Sequence, residues 1–300
     1  MPDLFHRVWD LQVGTIRIAG EGAGEGGERA SLDCAFEVQR SVAREPNTAS
    51  VKIWNLSPSH RRALDSSASL ALRVSAGYRD AIGSLFDGDV RVAESHRRRR
   101  LHRSAVSAHG ALRGTRDIVD VITEIEAEDG GTAWRTATVQ RSFVAGTPVT
   151  TVLAAAVDAM GIGRGNLAEL SADATLRGID AYSEGTVLSG QAHHEVDRIV
   201  RGLGLTWSVQ SGGLQLKRAG QPMATMAVVL SPSTGLVSSP SIDADGYVTA
   251  VSLLNPSLYP GRPVDLRSES VSGSYQVRRQ TDTGDTAGDD WYSEVTLEER

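Results

Sequence analysis

The stretch NTASVKIWNLS (Asn47–Ser57) decides the fold, and LALRVSAGY (Leu70–Tyr78) answers it about twenty residues later. Both alternate as strands do: Leu70, Leu72, Val74, Ala76 and Tyr78 share one face, with Ala71, Arg73, Ser75 and Gly77 on the other. In the intervening NLSPSHRRALDSS, Ser57-Pro58 is a helix start and Asp65-Ser66-Ser67 a helix stop. The unit is therefore strand, short helical crossing, strand, and none of its side chains suggests catalysis.

Working outward, the first 143 residues read almost entirely as strands. Leu11, Val13, Ile16 and Ile18 give a first strand, Leu32–Val38 a second, and the pair around Val51 and Leu70 a third and fourth. Leu85–Val92 is a fifth, and Ile118–Ile125 with Thr132–Phe143 reads as a hairpin around Asp129-Gly130-Gly131. At Gly146 the period changes. Thr147 as N-cap and Pro148 at the first helical position lead into Val149, Val152, Leu153, Ala156, Val157 and Met160, a single helical stripe closed by Gly161. A second helix spans about Ala192–Arg201, followed by a hairpin with Leu205, Trp207 and Val209 facing Leu214 and Leu216. Strands return at Met226–Leu230, Tyr247–Leu254, Val264–Arg267, Ser274–Arg279 and Trp291–Leu297.

The expected fold class is thus mainly β with a small α+β module: a β domain over 1–143, the module over 144–220 and a second β domain over 221–300. With 300 residues there is enough chain for real cores, and 31 glycines against 4 phenylalanines suit many turns between short strands. The formal net charge of −6 gives no overall basic footprint for nucleic acid. MPDLFHRVWDL lacks the apolar core of a secretion signal and no run approaches a membrane span, so synthesis in a reducing cytosol is expected.

Several tempting sites have simpler explanations. Gly22, Gly24 and Gly27 spell GxGxxG, but Glu21, Glu25 and Glu28 would repel a pyrophosphate and a strand follows where a helix is required. His193, His194 and Glu195 point apart from adjacent helical positions, and Asp197 joining His193 at i, i+4 gives two ligands rather than a site, so a solvated helix face is expected. Cys34, the only cysteine, lies in the alternating run Leu32, Cys34, Phe36, Val38 and reads as a buried thiol. The run HRRRRLHR (His96–Arg103) reads as a solvated or disordered loop, against the alternative of an electrostatic contact with an acidic partner such as passing nucleic acid, for which it offers no aromatic platforms for bases. Asp243, Asp245, Asp282, Asp285, Asp289 and Asp290 sit beside turn glycines, where aspartate bonds its own backbone. No catalytic, cofactor-binding or metal-binding residue emerges.

With those set aside, the opening motif and its sequels carry a resemblance. NTASVKIWNLS, LRVSAGY and SLFDGDV resemble the N-terminal region of tail baseplate hub proteins of contractile and related long-tailed phages and phage-derived injection particles. Collinear matches follow in SFVAGTPVTTVL, in Gly202-Leu203-Gly204-Leu205 with Trp207 and GGLQL, and in SPSTGLVSSP, LLNPSLYPGRPV, GSYQV and GDTAGDDWYSEVTL. The basic segment of about 95–115 departs from the family, whose members pass directly to the next strand pair.

The resemblance implies two tail-tube-like β-barrel domains, with strand exchange between them compatible with the contiguous boundaries above. It implies a non-enzymatic subunit without cofactors, three copies of which form a ring adapting a sixfold tail tube to a threefold central spike. Implied partners are further copies of the chain, the tail tube or distal tail ring protein, the central spike and the tape-measure protein, with no membrane insertion and no specific nucleic-acid binding. The implied location is the tail baseplate of a virion assembled in the host cytoplasm. The competing class is a tail-associated peptidoglycan hydrolase, against which stands the lack of a paired Glu/Asp motif. A module recognising a host surface is a third reading.

Overall fold

Inward-facing apolar residues at every second position set the strands, and where that alternation breaks the chain bulges, turns or changes to helix. The computed structural model describes residues 6–21, 32–43, 45–66, 70–102, 116–172, 181–223 and 225–300. The first segment contains β1 (Arg7–Val13), β2 (Ile16–Glu21), β3 (Cys34–Ser41), β4 (Thr48–Trp54), α1 (Pro58–Ser66), β5 (Ala71–Tyr78), β6 (Ala81–His102) and β7 (Arg116–Glu128). The middle contains α2 (Gly131–Thr136), β8 (Thr138–Phe143), α3 (Val149–Met160), α4 (Leu167–Ala172), β9 (Thr186–Gln191), α5 (Ala192–Gly202), β10 (Leu205–Gln210) and β11 (Gly213–Arg218). The last contains β12 (Val228–Leu230), β13 (Ser241–Ile242), β14 (Val248–Leu253), β15 (Pro263–Arg267), β16 (Ser272–Asp285) and β17 (Trp291–Glu299).

The fold is mainly β with a small α+β module. One sheet runs β13-β14-β17-β16-β3-β4-β7-β6-β5-β1-β2, with β15 on the free side of β16 and β12 beside β15. Strands β1 to β7 all contribute to one core, including Trp9, Ile18, Phe36, Val51, Leu72 and Ile125. A single sheet can do this only by curling around that core. A second β core gathers Leu230, Val248, Leu266, Val277, Val295 and Leu297 from the other end of the same sheet. The seam is β16, whose Arg279–Asp285 half pairs antiparallel with Ser41–Ala35 of β3 while its Ser272–Gln276 half pairs with β15. Trp291 and Leu254, from the last segment, pack into the first core.

The opening motif folds as read. β4 and β5 flank α1, which begins at Pro58 with Ser57 Oγ accepting the His60 N–H at 3.2 Å. Leu85 and Phe86 are consecutive yet both buried, because the ladder jumps from Val74–Phe86 to Ser75–Ser84 and leaves Leu85 as the extra residue of a bulge. Gly77 has φ +155°, and a Cβ there would lie 2.2 Å from the Ala81 carbonyl oxygen, so the Ala-Gly-Tyr exit requires glycine.

Other expectations are corrected. Leu11, Val13, Ile16 and Ile18 form not one strand but the hairpin β1–β2, turning at Gly14 with Val13 opposite Ile16. No hairpin forms around Asp129: Gly130 turns the chain into α2, and β8 pairs with β9, more than forty residues on. Thr147 does not cap α3; the cap position is Pro148, and Thr147 Oγ1 donates to the Val144 carbonyl at 2.7 Å. Gly161 does close α3, in the left-handed conformation. The acidic stretch after Arg279 is largely strand, since β16 continues to Asp285 and only the turn to Trp291 remains loop. The GxGxxG glycines 22, 24 and 27 lie outside the described residues.

Candidate functional site: the joints between the cores

The module, with its own core of Val152, Leu153, Leu188, Val196, Trp207 and Leu214, docks on the first β lobe through Asn47, the first residue of the opening motif. Asn47 is buried and saturated. Its Nδ2 donates to the Val209 carbonyl at 2.8 Å, to Gln210 Oε1 at 3.2 Å and to Asp129 Oδ2 at 3.3 Å. Its Oδ1 accepts the Ser41 N–H at 3.0 Å, and its backbone carbonyl accepts the Asp129 N–H at 2.9 Å. Asp129 Oδ1 accepts the Gly212 N–H at 2.9 Å, and Gln210 Nε2 returns to the Ser41 carbonyl at 2.8 Å. Burial pushes the Asp129 carboxyl up to about 6, against the pull of the Gly212 N–H and Asn47. Asp129 is thus the anchor for the β10–β11 turn, which explains why its turn signal did not close a hairpin.

The joint between the two β lobes is ionic. Arg40 on β3 and Asp282 on β16 are 4% and 0% exposed and meet at 2.8 Å. Asp282 Oδ1 also accepts from Gln280 Nε2 at 2.8 Å and from the Ser293 hydroxyl, while Arg40 reaches the Leu258 carbonyl at 3.3 Å. Beside it Trp291 sits edge-on to Phe36, 5.5 Å between ring centroids, with Nε1 donating to the Gly77 carbonyl at 3.3 Å. Asp282 was expected in a turn; the length of β16 instead makes it an inward strand position. No local pattern marks such a residue, because its partner lies 242 residues away. Asp243 and Asp285 do serve their turns: Asp243 Oδ1 accepts from Asp245 and Tyr247, Asp285 Oδ1 from Ala287 and Gly288.

The third feature is a ribbon. β6 and β7 pair from Asp89–Glu128 out to His102–Arg116, so the basic run is strand rather than loop as far as His102. At its base Asn55, in the left-handed conformation with φ 58°, clamps β7: its N–H donates to the Val121 carbonyl at 2.7 Å. Its Oδ1 accepts the Val121 N–H at 3.1 Å and its Nδ2 donates to Asp120 at 3.2 Å. This accounts for the asparagine of the Asn-Leu-Ser exit, since asparagine tolerates that backbone better than other branched or bulky residues.

The sequence matches no protein-family model and no curated protein. Among solved structures it is similar over 98% of its length to the 43 kDa tail protein of prophage MuSo2 from Shewanella oneidensis, covering 97% of that chain at 9% identity and TM-score 0.58. The fold is that of phage tail proteins. A tail protein from Neisseria meningitidis MC58 is similar over 98% of this chain and 96% of its own, at 10% identity and TM-score 0.55. The Escherichia coli c3393 protein, described as a component of the type VI secretion system with structural similarity to the T4 tail proteins gp27 and gp5, aligns over 97% of this chain and 76% of its own, at 10% identity and TM-score 0.51.

On this tail-protein fold the discounted residues take their places. Cys34 is 1% exposed and burial pushes its thiol up to about 12. His194 is exposed, but His193 is not simply solvated: it stacks on Trp134 at 4.8 Å, and Trp134 in turn leans on Trp207. Among the described residues no three His, Cys, Asp or Glu side chains converge as a metal site, and no helix is long and apolar enough to cross a membrane. An open groove of about 450 Å³ between lobe and module is lined by Asp87, Asp89, Asp129 and Asp158. It is the one place among the described grooves where carboxylates gather around a raised one. Yet Asp129 is 1% exposed with both oxygens accepting, and Asp87 pairs with Arg73 at 2.9 Å, so its acid is committed to the joint.

Proposed function

We propose that this chain is a structural subunit of a phage tail or related injection apparatus, and within it the baseplate hub. In this reading three copies form a ring, giving six β lobes that meet a sixfold tail tube at one end and a threefold central spike at the other. Its partners are then other copies of itself, the tube or distal ring protein, the spike and, in the lumen, the tape-measure protein. The chain works in the assembled virion tail after assembly in the host cytoplasm. The observation that carries this is end-to-end similarity to tail proteins, both β lobes and the intervening module included. The buried joints support it as well, since a ring wall needs lobes that do not swing relative to one another. In this reading 1–143, 144–220 and 221–300 are its working units, except that α2 and β8 go with the module, β8 pairing with β9, and that β16 reaches across the seam.

The test is assembly. Size-exclusion chromatography with light scattering, and negative-stain images with the tube and spike proteins present, are expected to show trimeric rings. A monomer under all those conditions defeats the hub reading. A peptidoglycan hydrolase remains the second reading because of the acidic groove; lysis on a cell-wall zymogram by this chain alone, lost in Asp87→Asn/Asp89→Asn, would establish it instead.

A further inference from the structure

The ribbon of β6 and β7 has properties that the fold of one copy does not use. β5 accompanies β6 only to Asp89, with one further bond from the Val90 N–H to the Leu70 carbonyl. β4 accompanies β7 only to Ile122, followed by the Asn55 clamp. From Arg97–Val121 to His102–Arg116, the two strands pair with each other and with no other described strand. A two-stranded ribbon with two free edges is marginal in water and invites a partner.

Charge is uneven along it. Arg97 and Arg98 are exposed on opposite faces, with Arg98 directly opposite Asp120 in the ladder. At the root the outer face is acidic. Glu94 stands directly opposite Glu124, a like-charge pair that costs stability. Glu124 is answered by Lys52 at 3.2 Å and His96 at 4.0 Å, whereas Glu94 has no cationic partner among the described residues. Glu126, next along β7, and Glu37 on β3 are also exposed, and they line a groove of about 200 Å³ with Ser50, Thr48 and the ion pair of Glu128 with Arg91. Over the whole chain the same division holds: the five arginines of His96–Arg103 sit on a molecule of formal charge −6, which is −11 without them.

We infer that the basic outer half of this ribbon docks onto the acidic root face, Glu94, Glu126 and Glu37, of a second copy of the chain. The contact is head-to-tail: each copy gives its ribbon to one neighbour and receives that of the other, the geometry that closes a ring. It supplies opposite charge to Glu94 and covers strand edges that pair with no other described strand. It rests on the ring reading above, for which it names the interface.

The experiment is a charge swap on the full chain, with assembly followed by light scattering and sedimentation across a salt series. Wild type is expected to assemble best at low salt and to dissociate as salt rises. Arg97→Glu/Arg98→Glu and Glu94→Arg/Glu126→Arg are each expected to weaken assembly by roughly tenfold or more, and the protein carrying all four reversals to recover most of it. The milder Arg97→Gln/Arg98→Gln, which risks the fold least, should fall between. Rings that form equally well in wild type and both reversed variants overturn this inference and leave the hub reading standing; absence of rings in wild type even with tube and spike proteins overturns the hub reading itself. Unchanged assembly together with loss of retention on double-stranded DNA in Arg97→Glu/Arg98→Glu would assign the ribbon to a polyanion and likewise overturn the docking.

Discussion

Replacing Asp282 by Ala should be among the most damaging single changes in this protein. The carboxylate is 0% exposed and receives Arg40, Gln280 and Ser293, so its loss leaves the Arg40 guanidinium, itself 4% exposed, with only the Leu258 carbonyl among its described partners. Breaking a buried pair from one side costs about 3–5 kcal/mol, mostly the uncompensated charge left behind. Arg40→Met should cost less, about 2–3 kcal/mol, because Asp282 keeps two donors and the methionine refills the space of the stem. Arg40→Met/Asp282→Ala removes both charges and should cost only about 1 kcal/mol more than Arg40→Met alone, giving a coupling of about 2–4 kcal/mol. Equilibrium urea unfolding followed by tryptophan fluorescence reads this well, since Trp291 lies at the same seam. The slope of free energy against urea should stay constant while the midpoint moves. Strict additivity of the two substitutions, or a loss below about 1 kcal/mol for Asp282→Ala, would refute the view that this ion pair locks the β lobes together.

Three further outcomes follow from other joints. Because the Asp129 carboxyl is raised to about 6 in the fold from an ordinary 3.8, the folded state holds its proton more tightly, so its charged form opposes folding above about pH 6 and that opposition fades as pH falls toward 4. The pH-dependent part is on the order of 3 kcal/mol; Asp129→Asn should flatten this rise relative to wild type, and identical pH–stability curves for the two proteins would remove the basis for it. Asn55→Ala should lose about 2–3 kcal/mol and Asn55→Gly about half that, because glycine restores the left-handed backbone but not the bonds to β7; thermal melts of the two variants should therefore differ. The Cys34 thiol, buried and pushed up to about 12, should resist a thiol reagent such as Ellman's at pH 8 until the protein is unfolded by denaturant; labelling of the native protein at the rate of a free thiol would contradict its burial.

Local chemistry made much of the architecture legible. Period-two alternation is visible in β4 and β5, period 3.6 in α3 and α5, and the β10–β11 turn announces itself in Ser211-Gly212-Gly213, because each of these depends on neighbours within one element. What failed to show in the sequence has a common cause. β16 reads as ending near Arg279 because Gln280 and Asp282 are polar, but both are inward residues: Asp282 meets Arg40 on β3 and Ser293 on β17, and Gln280 donates to Asp282. The arginines of β6 read as loop because like charges repel locally, yet register with β7 carries the strand through them as far as His102. Asp129-Gly130 is a genuine turn, but Gly212 and Asn47 decide where the chain goes after it.

By itself the sequence determined the mainly β class, the place of the helical module and the absence of any recognisable catalytic pattern, since apolar periodicity and residue type are properties of short windows. Only the tertiary structure decided that the two β lobes share one sheet through β3 and β16, that an aspartate and an arginine 242 residues apart are buried together, and that the basic run continues a ribbon opposite β7. Each of these is a pairing between distant segments, settled by backbone ladders and, at Arg40 and Asp282, by a buried ion pair, which no window of sequence contains.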